Sequence, residues 1–263
     1  MISIFIKTLS DKRWFVVGWG LGLMLLGYLM AIFFPTFKGD DIAALMSNMP
    51  QALQGLLGDL AVLSQVDTYL ASELYAIRLP MFVSIMAIIL GLSLSVAEEE
   101  AGLVRTYLAM PLSRTSWFIQ KITSAAIVLI LPLLMMMVGV LVGLWQIAES
   151  IEIGALVELT LLSFLFVYTL FALTFSLGAA SGRRSIALLL AIVVAVGSFI
   201  LSTFSASVEW LEPFEAYSLL HYFPSVQLAQ GEMSNWYWLI GIMISLVSLS
   251  VALMLFRRRD VAE

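Results

Sequence analysis

The side chains able to do chemistry are few, and the densest group lies in VAEEEAGLVRTYLAMPLSRTSWFIQK, Val96 to Lys121. Three carboxylates, Glu98, Glu99 and Glu100, stand together ahead of a short amphipathic run, then Met110-Pro111, then a new hydrophobic segment. Carboxylates oppose the macrodipole at a helix C-terminus and favour it at an N-terminus. The economical reading is a break near Ser95–Glu98 and a short new helix from about Glu99 to Ala109. Pro111 disfavours helical geometry at Met110 and ends it. Ser113 or Thr115 can then cap the segment that follows. On the short helix Leu103, Tyr107 and Met110 share a face, Val104 and Leu108 widen it, and Arg105 lies on the other side. Such a stripe either rests on lipid headgroups or docks into a groove on a partner.

Other chemistries lack their residues. The chain has no cysteine, hence no disulfide frame and no thiolate nucleophile. It has one histidine, His221, between Leu220 and Tyr222; a lone interfacial histidine is more often structural than catalytic. No phosphate loop of the form G-x-x-x-x-G-K-[ST], no H-E-x-x-H pair and no G-x-S-x-G elbow is present. We therefore expect a non-enzymatic chain with no catalytic, metal or cofactor residues of its own. A net charge of −5 argues against nucleic acid.

The elements that must position the charged stretch are greasy. Of the 263 residues, 62% are hydrophobic and 12% charged, with a mean hydropathy of +1.03. That excess cannot be hidden in one aqueous core, so lipid is the solvent for most of the chain. Six runs are long enough to span a bilayer: Trp14–Phe34, Ile77–Ala97, Trp117–Ile147, Leu156–Ala180, Ser185–Phe204 and Trp236–Phe256. Pro132 should kink the third. The reading is an all-α polytopic membrane protein: a single six-helix transmembrane domain over 1–263, with a polar loop at about 98–116 and outer segments at about 36–76 and 205–235.

The charges between runs set the orientation. Eleven of the thirteen basic residues fall on one side, and only Lys38 and Arg78 on the other, which holds twelve of the eighteen acids. Lys and Arg in short loops stay cytoplasmic. Both termini and the loop carrying Glu98–Glu100 are therefore predicted inside, and the protein is assigned to the cell (inner) membrane. No charge falls near the middle of a span, which weakens an ion-coupled mechanism. The opening MISIFIKTLSDKRW lacks an early basic region and a small-residue cleavage site, so it is expected to stay. Within it Ile2–Leu9 is short and amphipathic and suits the inner leaflet.

With these residues in view, the sequence resembles the membrane subunit of type-2 ATP-binding cassette (ABC) transporters. EEEAGLVRTYLAMPLSRTSWFIQK carries the likeness: acidic residues, Gly102, a Leu-rich run, a small-Pro-x-Ser-Arg turn through Pro111 and Arg114, and Lys121 entering span three. FRRRD after the last span and HYFPSVQLAQGE before it add to the likeness. A third glutamate stands where two acids are commoner. The resemblance implies that the short helix is a coupling helix seated in a cytoplasmic ABC ATPase subunit. The coupling set would be Glu98, Glu99, Glu100, Gly102, Leu103, Tyr107, Leu108, Pro111 and Arg114, with ATP and Mg held on the partner. It also implies a second permease copy or paralogue meeting at spans one and five.

Glycines at i, i+4 permit close helix approach. Gly18/Gly22, Gly139/Gly143 and Gly178/Gly182 have that spacing, and Gly18 and Gly22 are the candidates for subunit contact. Polar residues for a pathway are sparse: Ser84, Ser93, Ser95, Ser198 and Ser202. So apolar a lining suits a hydrophobic or amphipathic substrate. The leading expectation is a permease subunit of an ABC exporter. A mechanical transducer of the same architecture acting on an extracytoplasmic partner, and an ATPase-independent transporter or scaffold, stay open beside it.

Overall fold

The computed structural model describes residues 4–37, 65–102, 113–205, 208 and 210–258. Leu103, Tyr107, Leu108 and Pro111 lie outside the described residues, as does most of the expected outer segment 36–76. Among the described residues the chain is helical throughout its regular structure, and six helices are long and apolar enough to cross a membrane. A chain in hydrocarbon must satisfy its backbone polar groups internally, and a helix does so within each segment.

An N-terminal helix α1, Ile4–Asp11, leads into span one, Arg13–Phe33. Span two belongs to a longer helical stretch, Val66–Glu100. It starts further out than the hydrophobic run implied: Leu70–Arg78 is wound as a π-helix before regular α-geometry sets in over Leu79–Leu94. The wider turn brings residues five apart over one another, and Arg78 Nη1 reaches the carboxylate of Glu73. Span three is Arg114–Gln146, with Pro132 buried inside it. Ser113 caps its start, the Oγ accepting from Ser116 N–H at 3.1 Å. Spans four, five and six are Ile153–Ser181, Arg184–Phe204 and Trp236–Arg258.

Spans two and four are the buried members, and spans one and five the least buried. Span four touches spans two, three, five and six, while span one packs chiefly along span three. The outward faces of spans one, five and six are lined by exposed Leu, Ile, Val and Phe side chains. Lipid tails accept such a surface as readily as another helix would.

Close helix approach falls on glycines. Along the contact of spans one and three, a Cβ on Gly139 would overlap the Met24 carbonyl. One on Gly143 would sit 2.6 Å from Ala31 Cβ and 2.8 Å from Tyr28 O, and one on Gly27 2.7 Å from Met136 O. Gly139 and Gly143 thus do bring backbones together. The pair Gly178/Gly182 divides its labour instead. Gly178 packs on Ser95 and Val96 of the neighbouring span. Gly182, at φ 59°, is the left-handed cap of span four, its N–H donating to Gly178 O at 2.9 Å.

Gly139→Val should lower the thermal midpoint of the detergent-purified protein, because overpacking a close seam costs about 1–3 kcal/mol. Gly18→Val, with no described atom of the chain within 4 Å of its Cβ, should lower it far less. Equal midpoints for the two variants would remove the seam from the account.

Candidate functional site

The polar loop after span two is mounted on a buried charge cluster. Span two breaks at Ser95, at φ −105° and ψ −90°. The Ser95 hydroxyl donates to Gly91 O at 2.7 Å, turning back on the helix it ends. A short helix, Val96–Glu100, follows, with Glu98 and Glu99 in its first turn where carboxylates complement the dipole. The break falls at the start of the expected Ser95–Glu98 stretch, and this short helix begins at Val96 and stops at Glu100; the expected helix to about Ala109 lies, beyond Gly102, outside the described residues. Gly102 then turns the chain at φ 69°, a conformation glycine adopts without penalty.

The three carboxylates part company here. Glu98 turns inward, and its Oε1 accepts from Lys121 Nζ at 2.6 Å. Lys121 is only 2% exposed, and its ammonium also donates to Thr8 Oγ1 at 3.0 Å. Thr8 is itself buried on the N-terminal helix. That helix gains a second tie, Phe5 N–H to Gln120 Oε1 at 3.2 Å. One lysine therefore joins the N-terminal helix, the exit from span two and the entry of span three. Glu100 is exposed and borders an open cleft beside Gly182, Arg183 and Arg184.

On the other side of the loop, Arg114 Nη1 donates to the carbonyls of Phe256 at 3.2 Å and Arg257 at 3.3 Å. A cation there complements the C-terminal dipole of span six. Trp117, one turn on, stacks on Phe256 with ring centroids 5.1 Å apart. The loop leaves and re-enters the bundle through fixed points on spans two, three and six. Sequence reading grouped Glu98 and Arg114 with the partner-facing residues, and the structure gives both a contact within the chain. Lys121 stood in the sequence only as the motif's lysine entering span three, with no partner assigned to it. The one available hint was a lysine four residues into an otherwise apolar run, too near its start to stand out.

Gly18 and Gly22 are exposed, and among the described residues no atom beyond their own helix turn lies within 4 Å of a Cβ at either. The serines scatter. Ser93 and Ser95 bond back to their own helix. Ser198 is buried, accepting Leu219 N–H on its hydroxyl. Ser84 borders a groove of about 340 Å³ between spans two and five, walled by Ile85, Ile88, Ile192, Val196 and Phe199.

Lys121→Met or Glu98→Gln alone leaves one buried group without its partner and should cost about 3–5 kcal/mol of stability. The double variant should recover much of that loss. A denaturant titration of all four proteins measures the coupling, and strictly additive losses would show that the pair does not act as one unit.

No curated protein matches the chain by sequence. Residues 9–257 match a family described as the multidrug efflux system permease Rv1217c, C-terminal domain. The match takes in all six apolar helices but the final residue of the sixth. A multi-pass helical membrane architecture, and a match that runs through nearly all of it, place this chain in the family of that multidrug efflux permease domain.

Proposed function

We propose that the chain is the membrane subunit of a type-2 ABC exporter, moving a hydrophobic or amphipathic substrate with ATP hydrolysed on separate ATPase chains. The mounting of the 98–116 loop supports the reading best. A push on that loop is delivered through Glu98 and Lys121 to span two, span three and the N-terminal helix, and through Arg114 to span six. The loop is a handle on most of the bundle. The eleven-to-two split of basic residues supports a cytoplasmic position for this end, which in the cell (inner) membrane is within reach of a soluble ATPase that holds ATP and Mg.

In this reading Leu103, Tyr107 and Leu108 dock on the ATPase, as the stripe GLVRTYLAM implies. Two permease chains, identical or paralogous, meet along span one and the groove between spans two and five. The smooth outward face at Gly18 and Gly22 allows a second span one to approach closely. Substrate passes along the shared apolar seam, where Ser84 is one of few polar side chains.

Burying a Leu or Tyr side chain is worth roughly 1.5–3 kcal/mol, so Tyr107→Ala should lower recovery of the ATPase complex about tenfold or more. Glu100→Lys should act more weakly, since an exposed charge at a helix end is worth about 0.3–1 kcal/mol. Complex yield and ATP turnover measure both, and an intact complex with Tyr107→Ala would put the stripe on lipid instead.

Gly22→Leu should reduce cross-linking between two permease chains without reducing insertion. An unchanged cross-linking yield would move the subunit contact off this face.

A further inference from the structure

A second cleft lies within one chain, at the acid-rich end opposite the Lys121 cluster. The segment between spans five and six folds back over the bundle there. Ser218 Oγ donates to Ser198 O at 2.8 Å, and Leu219 N–H donates to Ser198 Oγ at 2.9 Å. Phe223 packs edge-on against Phe166 with centroids 5.3 Å apart. Beneath this cover, between the outer part of span two and span four, is a cleft of about 210 Å³. The π-helix forms one wall, contributing Tyr75 and Ala76. Wide helical turns of this kind occur frequently at functional sites.

The floor and the rim differ in chemistry. Leu79, Val83, Leu162 and Phe166 make the floor apolar. Two hydroxyls here are committed to internal bonds: Ser163, in the lining, donates to Leu159 O at 2.9 Å, and Thr160, the partner of Tyr75, donates to Leu156 O at 2.8 Å. Thr160 therefore accepts the Tyr75 hydroxyl proton at 3.0 Å. The rim carries Glu215, His221, Gln227 and Tyr237. His221 Nδ1 donates to Glu215 Oε1 at 3.0 Å, holding the carboxylate at the mouth. The His221 ring meets Tyr237 edge-on at 6.2 Å. Among the described residues no lysine or arginine lines the cleft.

We propose that this intrachain cleft binds a small amphipathic organic cation, its apolar ring on the Leu79–Val83 and Phe166 floor and its cationic head at the Glu215 carboxylate. Size selects the class. Drug-sized ligands occupy about 300–1,000 Å³, so a space of about 210 Å³ takes one ring and a head group rather than a fused dye. Charge selects the sign. The same end carries Glu149, Glu152, Glu158, Glu212 and Glu232, while its described arginine, Arg78, is engaged by Glu73; such a field concentrates cations at the mouth. Tyr237 adds an aromatic neighbour able to face a cation. The site needs neither an ATPase nor a second chain, so it stands or falls separately from the exporter reading.

Benzyltrimethylammonium is a suitable probe, with benzyl alcohol as its uncharged counterpart. Binding is read by saturation-transfer NMR on the full chain in phosphatidylcholine nanodiscs, which carry no net lipid charge. The chain should bind the cation and not the alcohol. Glu215→Gln should weaken the cation about tenfold, the usual scale for losing one charge-assisted contact. Glu215→Asp should hold it within a few-fold, showing that charge rather than folding is at stake. Glu212→Gln, which removes one charge of the surrounding field but lies outside the cleft, should weaken it far less than Glu215→Gln. Filling the floor with Val83→Phe should abolish binding. Equal affinity for cation and alcohol, or for Glu215→Gln and the unmodified chain, would overturn the proposal.

Discussion

A lysine ammonium almost cut off from water sets the terms at one end of this bundle. Removing such a charge from water costs several kcal/mol unless close partners repay it. For Lys121 those partners include the Glu98 carboxylate and the Thr8 hydroxyl, which come from different elements. Satisfying the one charge therefore fixes the N-terminal helix, the break after span two and the entry of span three relative to one another. Glu98 Oε2 and Trp117 Nε1 are buried without a hydrogen-bond partner among the described residues. The cluster is thus ordered by a few strong contacts rather than by saturation of every polar atom. Arg114 and the Trp117–Phe256 stack extend the same junction to span six.

Away from that junction, polarity gives way to shape. In lipid, apolar side chains gain little by leaving one greasy surface for another, so helix pairing depends on how closely backbones approach. The contact of spans one and three uses this at Gly27, Gly139 and Gly143, where a methyl group would already collide. Gly91 serves the same purpose between spans two and four, where a Cβ would come within 2.8 Å of Thr174 Cβ. Spans two and four are buried by these contacts, and the open apolar faces are left on spans one and five. A pathway formed by two such chains would then run along their shared boundary rather than through either bundle.

The two ends of the molecule are ordered by different means. The basic end is locked by buried charge. The acid-rich end is assembled from a π-helix, short 3-10 turns and hydrogen bonds between the returning segment and span five. Its charged-group contacts, the Glu215–His221 hydrogen bond and the Glu73–Arg78 ion pair, are partly exposed and so individually weak.

Composition and period alone determined that this chain is a six-helix membrane bundle. Runs of about twenty apolar residues have few other stable outcomes, because lipid offers no partner for an unpaired backbone group. The break after span two and the Ser113 cap were equally legible, since proline, glycine and capping residues act through their own backbone. The roles of individual charges were not. Sequence spacing put Glu98, Glu99 and Glu100 in one set, yet helix rotation sends Glu98 to Lys121 and leaves Glu100 exposed. In the same way i, i+4 spacing cannot tell Gly139 and Gly143, which touch span one, from Gly18 and Gly22, which meet no other element among the described residues. His221 and Glu215 share a cleft with Tyr75, nearly 150 residues earlier, only because the outer segment folds back over span two. Local rules fix each element, but which of its faces is covered depends on the elements that arrive beside it, and that information is spread over the whole chain.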